Sequence, residues 1–326
     1  MRRVAVAVAC LGLLLAPARS PALGPYPTLR GCPVFPAPPA GLPATAPSLP
    51  TEAAWNQDVS KAPVAPNSAA TIAYIDAHGG DHLHPDFGSP RTYGFPYAVV
   101  GAGQRKLPVH YTAYGDESDR GPFPVPKGAP VEGGNRSDGD RHVLVVDRST
   151  CTLYELYRAF FKRGARPHWN ADSGARWDLR SAARRSDSWT SADAAGLPIF
   201  PGLLRYDEVA SGRVGHAVRI TFDSTRDAWV HPASHCAGDT SNPNAPAMGT
   251  RLRLEAGYPL RGFSGGARTI ATTLKHYGAI VADNGSNWYF GGTSDRRWND
   301  SNLNQLKRIP GSAFQVVRSA APIHTC

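Results

Sequence analysis

Acid–base work on a glycosidic bond needs two carboxyl groups facing that bond, one held neutral and the other ionised. Asp193, Asp207, Glu208, Asp283 and Asp295 stand near aromatic residues and are the acids available for such a pair, though no spacing singles one out. Asp193 also fits a helix capping box, Thr190-Ser-Ala-Asp193, and Asp207 and Glu208 fit helix-surface pairs with Arg205 or Arg213. Elimination on a uronic-acid polymer needs instead a cation or amide on the substrate carboxylate and a His or Tyr to carry the proton. His216 and Arg219, three apart on an expected strand, face opposite sides unless a bulge intervenes, whereas Arg251 and Arg253, two apart, share a face as a basic stripe. His231 and His235 flank a proline turn ending at Cys236, where a disulfide would fix their position. Asp283-Asn284-Gly285-Ser286 suits a turn on backbone grounds alone, and Trp288 and Tyr289 after it offer an aromatic platform beside polar groups. The candidates are therefore Asp283, Asp193, Glu208, His235 and His216 for catalysis, and Trp288, Tyr289, Asn284, Arg219 and Arg251 for holding substrate.

Other chemistries have weaker anchors. His78-Gly-Gly-Asp81-His82-Leu-His84-Pro-Asp86 contains zinc or copper ligands, but its glycines and proline make a loop without the spacing of a scaffolded site, so no metal is expected there. Asp116-Glu117-Ser118-Asp119 offers oxygens to calcium while lacking the glycine and closing glutamate of an EF-hand; calcium is the one ion kept open, and no other cofactor is expected. Gly262-Phe-Ser264-Gly-Gly266 matches the G-x-S-x-G elbow, with Asp283 and His324 following in the required order, although a serine at a helix start is usually a cap. Phosphate-loop, dinucleotide and nucleic-acid motifs are absent.

The elements that must hold these residues are mostly short strands. His142–Val146 and Leu153–Tyr157 read as a hairpin, Ala217–Phe222 and Ala228–His231 as half-buried strands, and Ala279–Ala282 as a strand running into the Asn284-Gly285 turn. Ser264 caps an expected helix that carries Ile270, Leu274 and Tyr277 and stops at Gly278; Pro201 opens another that runs to Gly212. The fold class expected is α+β and β-rich, an antiparallel sandwich-like core with two or three short helices.

Lysine and arginine number 35 against 26 aspartates and glutamates, which suits an anionic polysaccharide or wall polymer better than DNA once the chain is exported. Export is expected from residues 1–23, where Arg2 and Arg3 precede an apolar run too short to span a bilayer, followed by small residues and proline. No later run approaches the roughly 20 apolar residues of a membrane span. Residues 24–70 are rich in proline and alanine and read as a linker or wrapping segment, and 71–326 as one β-rich domain with a loop-rich lobe over 71–139. With Cys10 removed, Cys32, Cys151, Cys236 and Cys326 remain and allow three connectivities. We favour Cys151–Cys236 within the fold and Cys32–Cys326 tying its ends.

The stretches LHPDFGSP, YGDESDRGPFPVPKGAPVEGG, DRHVLVVD with CTLYELY, SADAAGLPIFPGLLRYDEV and YGAIVADNGSNWY resemble an uncharacterised family of exported bacterial and fungal proteins, from about Asn56 to Val317. The resemblance implies one coherent unit in an exported setting and transfers no catalytic residue. Seven tryptophans interleaved with Asn, Asp, Arg and Ser complete the expectation. It is a secreted monomer, an enzyme acting on extracellular or cell-wall polysaccharide by hydrolysis or elimination. The alternatives are a noncatalytic glycan- or wall-binding protein and a secreted serine hydrolase using Ser264.

Overall fold

The computed structural model describes residues 24–35, 54–88, 93–181 and 183–326. The expected signal peptide and the middle of the Pro/Ala-rich segment, 36–53, lie outside the described residues. Helix α1 (Ser68–Ala77) is followed by strands β1 (Tyr97–Val100), β2 (Val109–Tyr111), β3 (Val143–Asp147), β4 (Thr152–Tyr157), β5 (Phe160–Lys162), β6 (His168–Ala171) and β7 (Ser173–Asp178). Helix α2 (Tyr206–Ala210) leads to β8 (Val218–Phe222), β9 (Arg226–Val230), β10 (Ala247–Met248) and β11 (Arg251–Leu254). Helix α3 (Gly265–His276), β12 (Ala279–Asn284), β13 (Tyr289–Phe290), α4 (Asp300–Leu303), β14 (Phe314–Val316) and β15 (Ile323–Thr325) complete the order.

These strands build mixed sheets ordered β1-β3-β4-β7, β13-β8-β12-β11-β14, β10-β9-β15 and β2-β6-β5, so the chain is α+β and β-rich as expected. Parallel pairs, β1 with β3 and β8 with β12 among them, are interleaved with antiparallel ones. The continuous apolar run Val143–Val146 is buried throughout, as a strand covered on both faces must be. Its hairpin to β4 turns on Asp147, whose Oδ1 accepts from Ser149 N at 2.9 Å. The larger apolar cluster joins the β8–β12 sheet to α3 through Ile220, Ile270, Leu274 and Val281; a second lies between Leu144, Leu153, Trp177 and Phe200.

Ends of the Pro/Ala-rich segment lie against this body. Tyr26 stacks on Tyr97 at 3.8 Å, Val59 N donates to His276 O at 2.6 Å, and Val64 bridges Val317. Two disulfides are present, and they correct the expected pairing: Cys32 joins Cys151, and Cys236 joins Cys326. The Tyr26–Tyr97 stack accounts for the first, because it lays Cys32 beside the β3–β4 turn that holds Cys151. The second follows from register, since Thr325 lies opposite Ala228 and the next residue reaches Cys236, whose sulfur lies 3.7 Å from Asp227.

Two expected helices are also corrected. Residues 191–197 form bends and turns, and no helix follows the Thr190–Asp193 box because Arg219 takes the Asp193 carboxylate. The helix from Pro201 is broken between a short 3-10 turn (Phe200–Gly202) and α2, because Leu204 leaves to bridge Gly292. Among the described residues no helix is long and apolar enough to cross a membrane.

Candidate functional site

Arg219 projects from β8 into the interior and is nearly fully buried. Its Nε and Nη2 fork onto Asp193, at 3.1 and 2.6 Å, and Nη2 also donates to Asp283 Oδ2 at 3.5 Å. Asp283 reaches this point because β12 is irregular: Val281 pairs Ile220, but Asp283 rather than Ala282 pairs Thr221. A bulge of this kind re-aims the side chains after it. Asp193 is set by its own turn, in which Ser191 Oγ accepts from Asp193 N at 2.9 Å and donates to Leu197 O at 2.6 Å. Gly196 closes that turn at φ +68°, where a Cβ would collide with Ser234 Oγ and the Trp189 carbonyl.

One cation between two carboxylates leaves a surplus of negative charge. Asp193 is wholly buried and holds the fork of Arg219, whereas the Asp283 side chain is 24% exposed. Burial, then the charge of Asp193, pushes the Asp283 carboxyl up to about 7 against the pull of Arg219. His142 stands behind the same turn. Its Nδ1 donates to Glu132 at 2.5 Å and its Nε2 to Ala192 O at 2.9 Å, and with Glu132 overriding the cost of burial its pKa rises to about 9. It is therefore an imidazolium that fixes the 191–194 segment from beneath. Glu155 on β4 accepts from Phe200 N, Ile199 N and Trp177 Nε1 at 2.9 to 3.1 Å, and burial lifts it to about 7.

Asp283 opens onto a cavity of about 240 Å³ bordered also by His235, Tyr157, Asp140, Ser191 and Tyr114. His235 lies just before Cys236, at the end of the segment following β9, and its Nδ1 donates to Ala194 O at 2.8 Å. That bond makes Nδ1 the donor and leaves Nε2 on the other side of the ring, 3.9 Å from a Glu117 oxygen. The arrangement places a carboxyl that keeps its proton up to near neutrality and an imidazole at the border of one cavity.

Asp283, Asp193, His235 and Asn284 thus come together at this cavity, with Arg219 beneath it. Asn284 is committed to Thr225 Oγ1 at 2.5 Å and to the Ala237 carbonyl. Arg219, expected to hold substrate, is buried and saturated by carboxylates, so it serves the site through Asp283. His216 and Glu208 lie elsewhere: both join Arg205 in a cluster where, despite burial, Arg205 and His216 draw Glu208 down to about 2, leaving it no proton to give. Trp288 is fully buried and donates to Asp76 at 2.9 Å, so it has no face for a sugar. Tyr289 stacks on His84 at 4.5 Å and does not border the cavity. Arg251 is buried in β11, away from this cavity, and no basic stripe forms on the surface because Arg253 beside it is buried as well.

Sequence reasoning missed His142, Glu132, Asp140, Tyr157 and Ser191. His142 and Tyr157 were legible as strand ends, but nothing in their spacing told that Asp193 and Asp283 would meet them. Ser264 lacks the elbow context. Residues 255–264 after β11 are irregular, and its hydroxyl meets Asn302 and Gln305, with neither Asp283 nor His324 among its partners. Glu117 accepts from Thr190 N and Asp119 pairs with Arg185, so those acids are turned to protein donors. Ligand atoms of Asp187, His231 and His324 lie within 4.8 Å of one another, the one group of metal-ligating type among the described residues that is not built on a disulfide.

No protein-family model, curated protein or solved structure matches this chain.

Proposed function

We propose that the protein is an exported acid–base enzyme acting on extracellular or cell-wall polysaccharide, by hydrolysis or elimination. One observation carries the reading: Asp283, a carboxyl pushed up to about 7, shares a cavity with His235, whose Nδ1 is held by the Ala194 carbonyl and whose Nε2 lies 3.9 Å from Glu117. Asp283 donates the proton to the departing glycosidic oxygen, and His235 takes one from water or from the sugar ring carbon. Asp193 and Arg219 do not touch substrate in this scheme; they set where Asp283 sits and when it ionises. Support for export comes from the two disulfides, the layout of residues 1–23 and the resemblance to exported bacterial and fungal proteins. No cofactor enters the proposed steps, and the enzyme works as a monomer.

The competing reading, a noncatalytic glycan-binding protein, is favoured by the cavity's small size, close to a single sugar ring. Incubation of the mature protein with neutral and acidic polysaccharides separates the readings, with new reducing ends and unsaturated-uronate absorbance followed together. Reducing ends alone indicate hydrolysis and both signals elimination. Silence in both, with retention on one insoluble polymer, replaces the enzyme by the binder.

A further inference from the structure

Among the described residues five arginines are buried, and four of them are saturated. Arg141 donates to Ala159 O, Asn135 O and Ser137 O; Arg205 to Phe200 O and Glu208; Arg219 to Asp193; Arg253 to Ala62 O and Gln315. Arg251 is the exception. It is 4% exposed, and its Nε, Nη1 and Nη2 have no hydrogen-bond partner among the described residues. A guanidinium shut from water without a counter-charge costs several kcal/mol, and such groups are ordinarily paired.

Arg251 forms part of the wall of a cavity of about 370 Å³, away from Asp283, between the start of α1, the loop ending at Thr250 and the C-terminal segment. Arg226 and Arg318 border it too, and neither side chain is in an ion pair among the described residues. His231 adds a further nitrogen heterocycle, turned by its Nε2 toward Asp187 at 3.1 Å. Thr71, Asn67 and Ser319 add neutral polar groups, and no carboxylate borders the space among the described residues. Asp58, whose charge reaches Arg251, is taken by His276 at 2.9 Å and does not border the cavity, so three arginines, one of them dry and unpaired, make the charge of this cavity one-sided.

We propose that this cavity is an anion site, receiving a carboxylate, sulfate or phosphate group, with Arg251 as its buried counter-charge and Arg226 and Arg318 at its rim. The planar fork of a guanidinium fits two oxygens of such a group, and rotation about the Arg251 side-chain bonds brings that fork to an anion seated beside it. The ligand is either a free oxyanion or the same group borne on an acidic glycan; both present the same oxygens. This site is separate from the Asp283 cavity and stands whether or not that cavity is catalytic.

Isothermal titration of the intact mature protein with sodium sulfate, sodium phosphate, monomeric glucuronate and an oligouronate tests it, at ionic strength matched with sodium chloride. Saturable binding of at least one probe is expected, weakened at least tenfold in Arg251→Met and several-fold in Arg318→Gln. Arg251→Met is also expected to melt no lower than the parent without anion, because it removes an unpaired buried charge. Arg318 is exposed, so Arg318→Gln keeps the test open if Arg251→Met does not fold. Binding of the oligouronate at least tenfold tighter than of glucuronate assigns the site to a polymer; equal binding assigns it to a free anion. Binding unchanged in both variants, or no binding of any probe by the parent, overturns the proposal.

Discussion

Asp193 and Asp283 reach the same nitrogen of Arg219, at 2.6 and 3.5 Å, and both border the cavity, but the Asp193 side chain is wholly buried while that of Asp283 is partly exposed. Burial disfavours the ionised Asp283, a single cation shared between two carboxylates cannot fully compensate both, and together these keep a proton on Asp283 near neutrality. In the proposed scheme the wholly buried member fixes the geometry and the partly exposed member carries the proton.

Asp283→Asn keeps the size of the side chain and removes its ability to give up a proton. Turnover of the polysaccharide found by the reducing-end assay should fall at least 100-fold, in keeping with the loss of a general acid. Retention on the same polymer should persist. Unchanged turnover would falsify the role given to Asp283.

The pH dependence has a definite sign. Asp283 is raised to about 7, so its acid form is complete at low pH and is lost as pH rises through 7. kcat/KM is expected to fall about tenfold per unit above that point, the slope of one titrating group. A profile flat from pH 6 to 9 excludes Asp283 as the proton donor.

Asp193→Asn leaves Arg219 with Asp283 as its remaining carboxylate on the pair. The fork then turns to Asp283 and favours its ionised form, so the alkaline limb should move to lower pH. Stability should also drop, by about 3 kcal/mol, as for a broken buried pair. A limb that stays in place while stability falls would reduce Asp193 to a purely structural residue.

His142 is raised to about 9. Stability from its pairing with Glu132 is therefore fully present below the unfolded value of about 6.5 and is lost as pH rises through 9. Glu132→Gln should melt lower at pH 6 and lose most of the decline between pH 7 and 10 shown by the parent. Circular-dichroism melts across that range decide it.

Glu155 gives a contrasting case. It accepts three N–H groups, and an amide in its place cannot satisfy all of them without setting its own NH₂ against a donor. Glu155→Gln should cost about 1–3 kcal/mol at pH 5, the penalty of one buried unsatisfied donor. A chemical-denaturation midpoint unchanged from the parent would show that the donors re-pair.

Local patterns made much of the fold legible. The β3–β4 hairpin, β8, and α3 between Ser264 and Gly278 stand where period and turn residues place them, but Ser264 does not cap α3 as expected: Asn302 Oδ1 accepts from Ala267 N instead. α1 was not expected, because the prolines before Ser68 and the polar text after His78 masked a single short helical run. The Thr190–Asp193 box failed for a different reason: a capping pattern describes a local preference, and Arg219, 26 residues on, offered Asp193 a stronger partner. Asp283 and His235 could be named as candidates from their neighbours. That they share a cavity depends on the β12 irregularity and on the Ala194 carbonyl, neither of which has a local signature.

The parallel pairing of β8 with β12 has a kinetic consequence. Strands joined this way must wait for about sixty intervening residues to be organised, and such distant contacts slow the search for the native state. Asp193 precedes Arg219 by 26 residues, whereas Asp283 follows it by 64. Until then the β8 edge stands open to pairing with other chains, so the nascent protein depends on protection from aggregation until β12 docks.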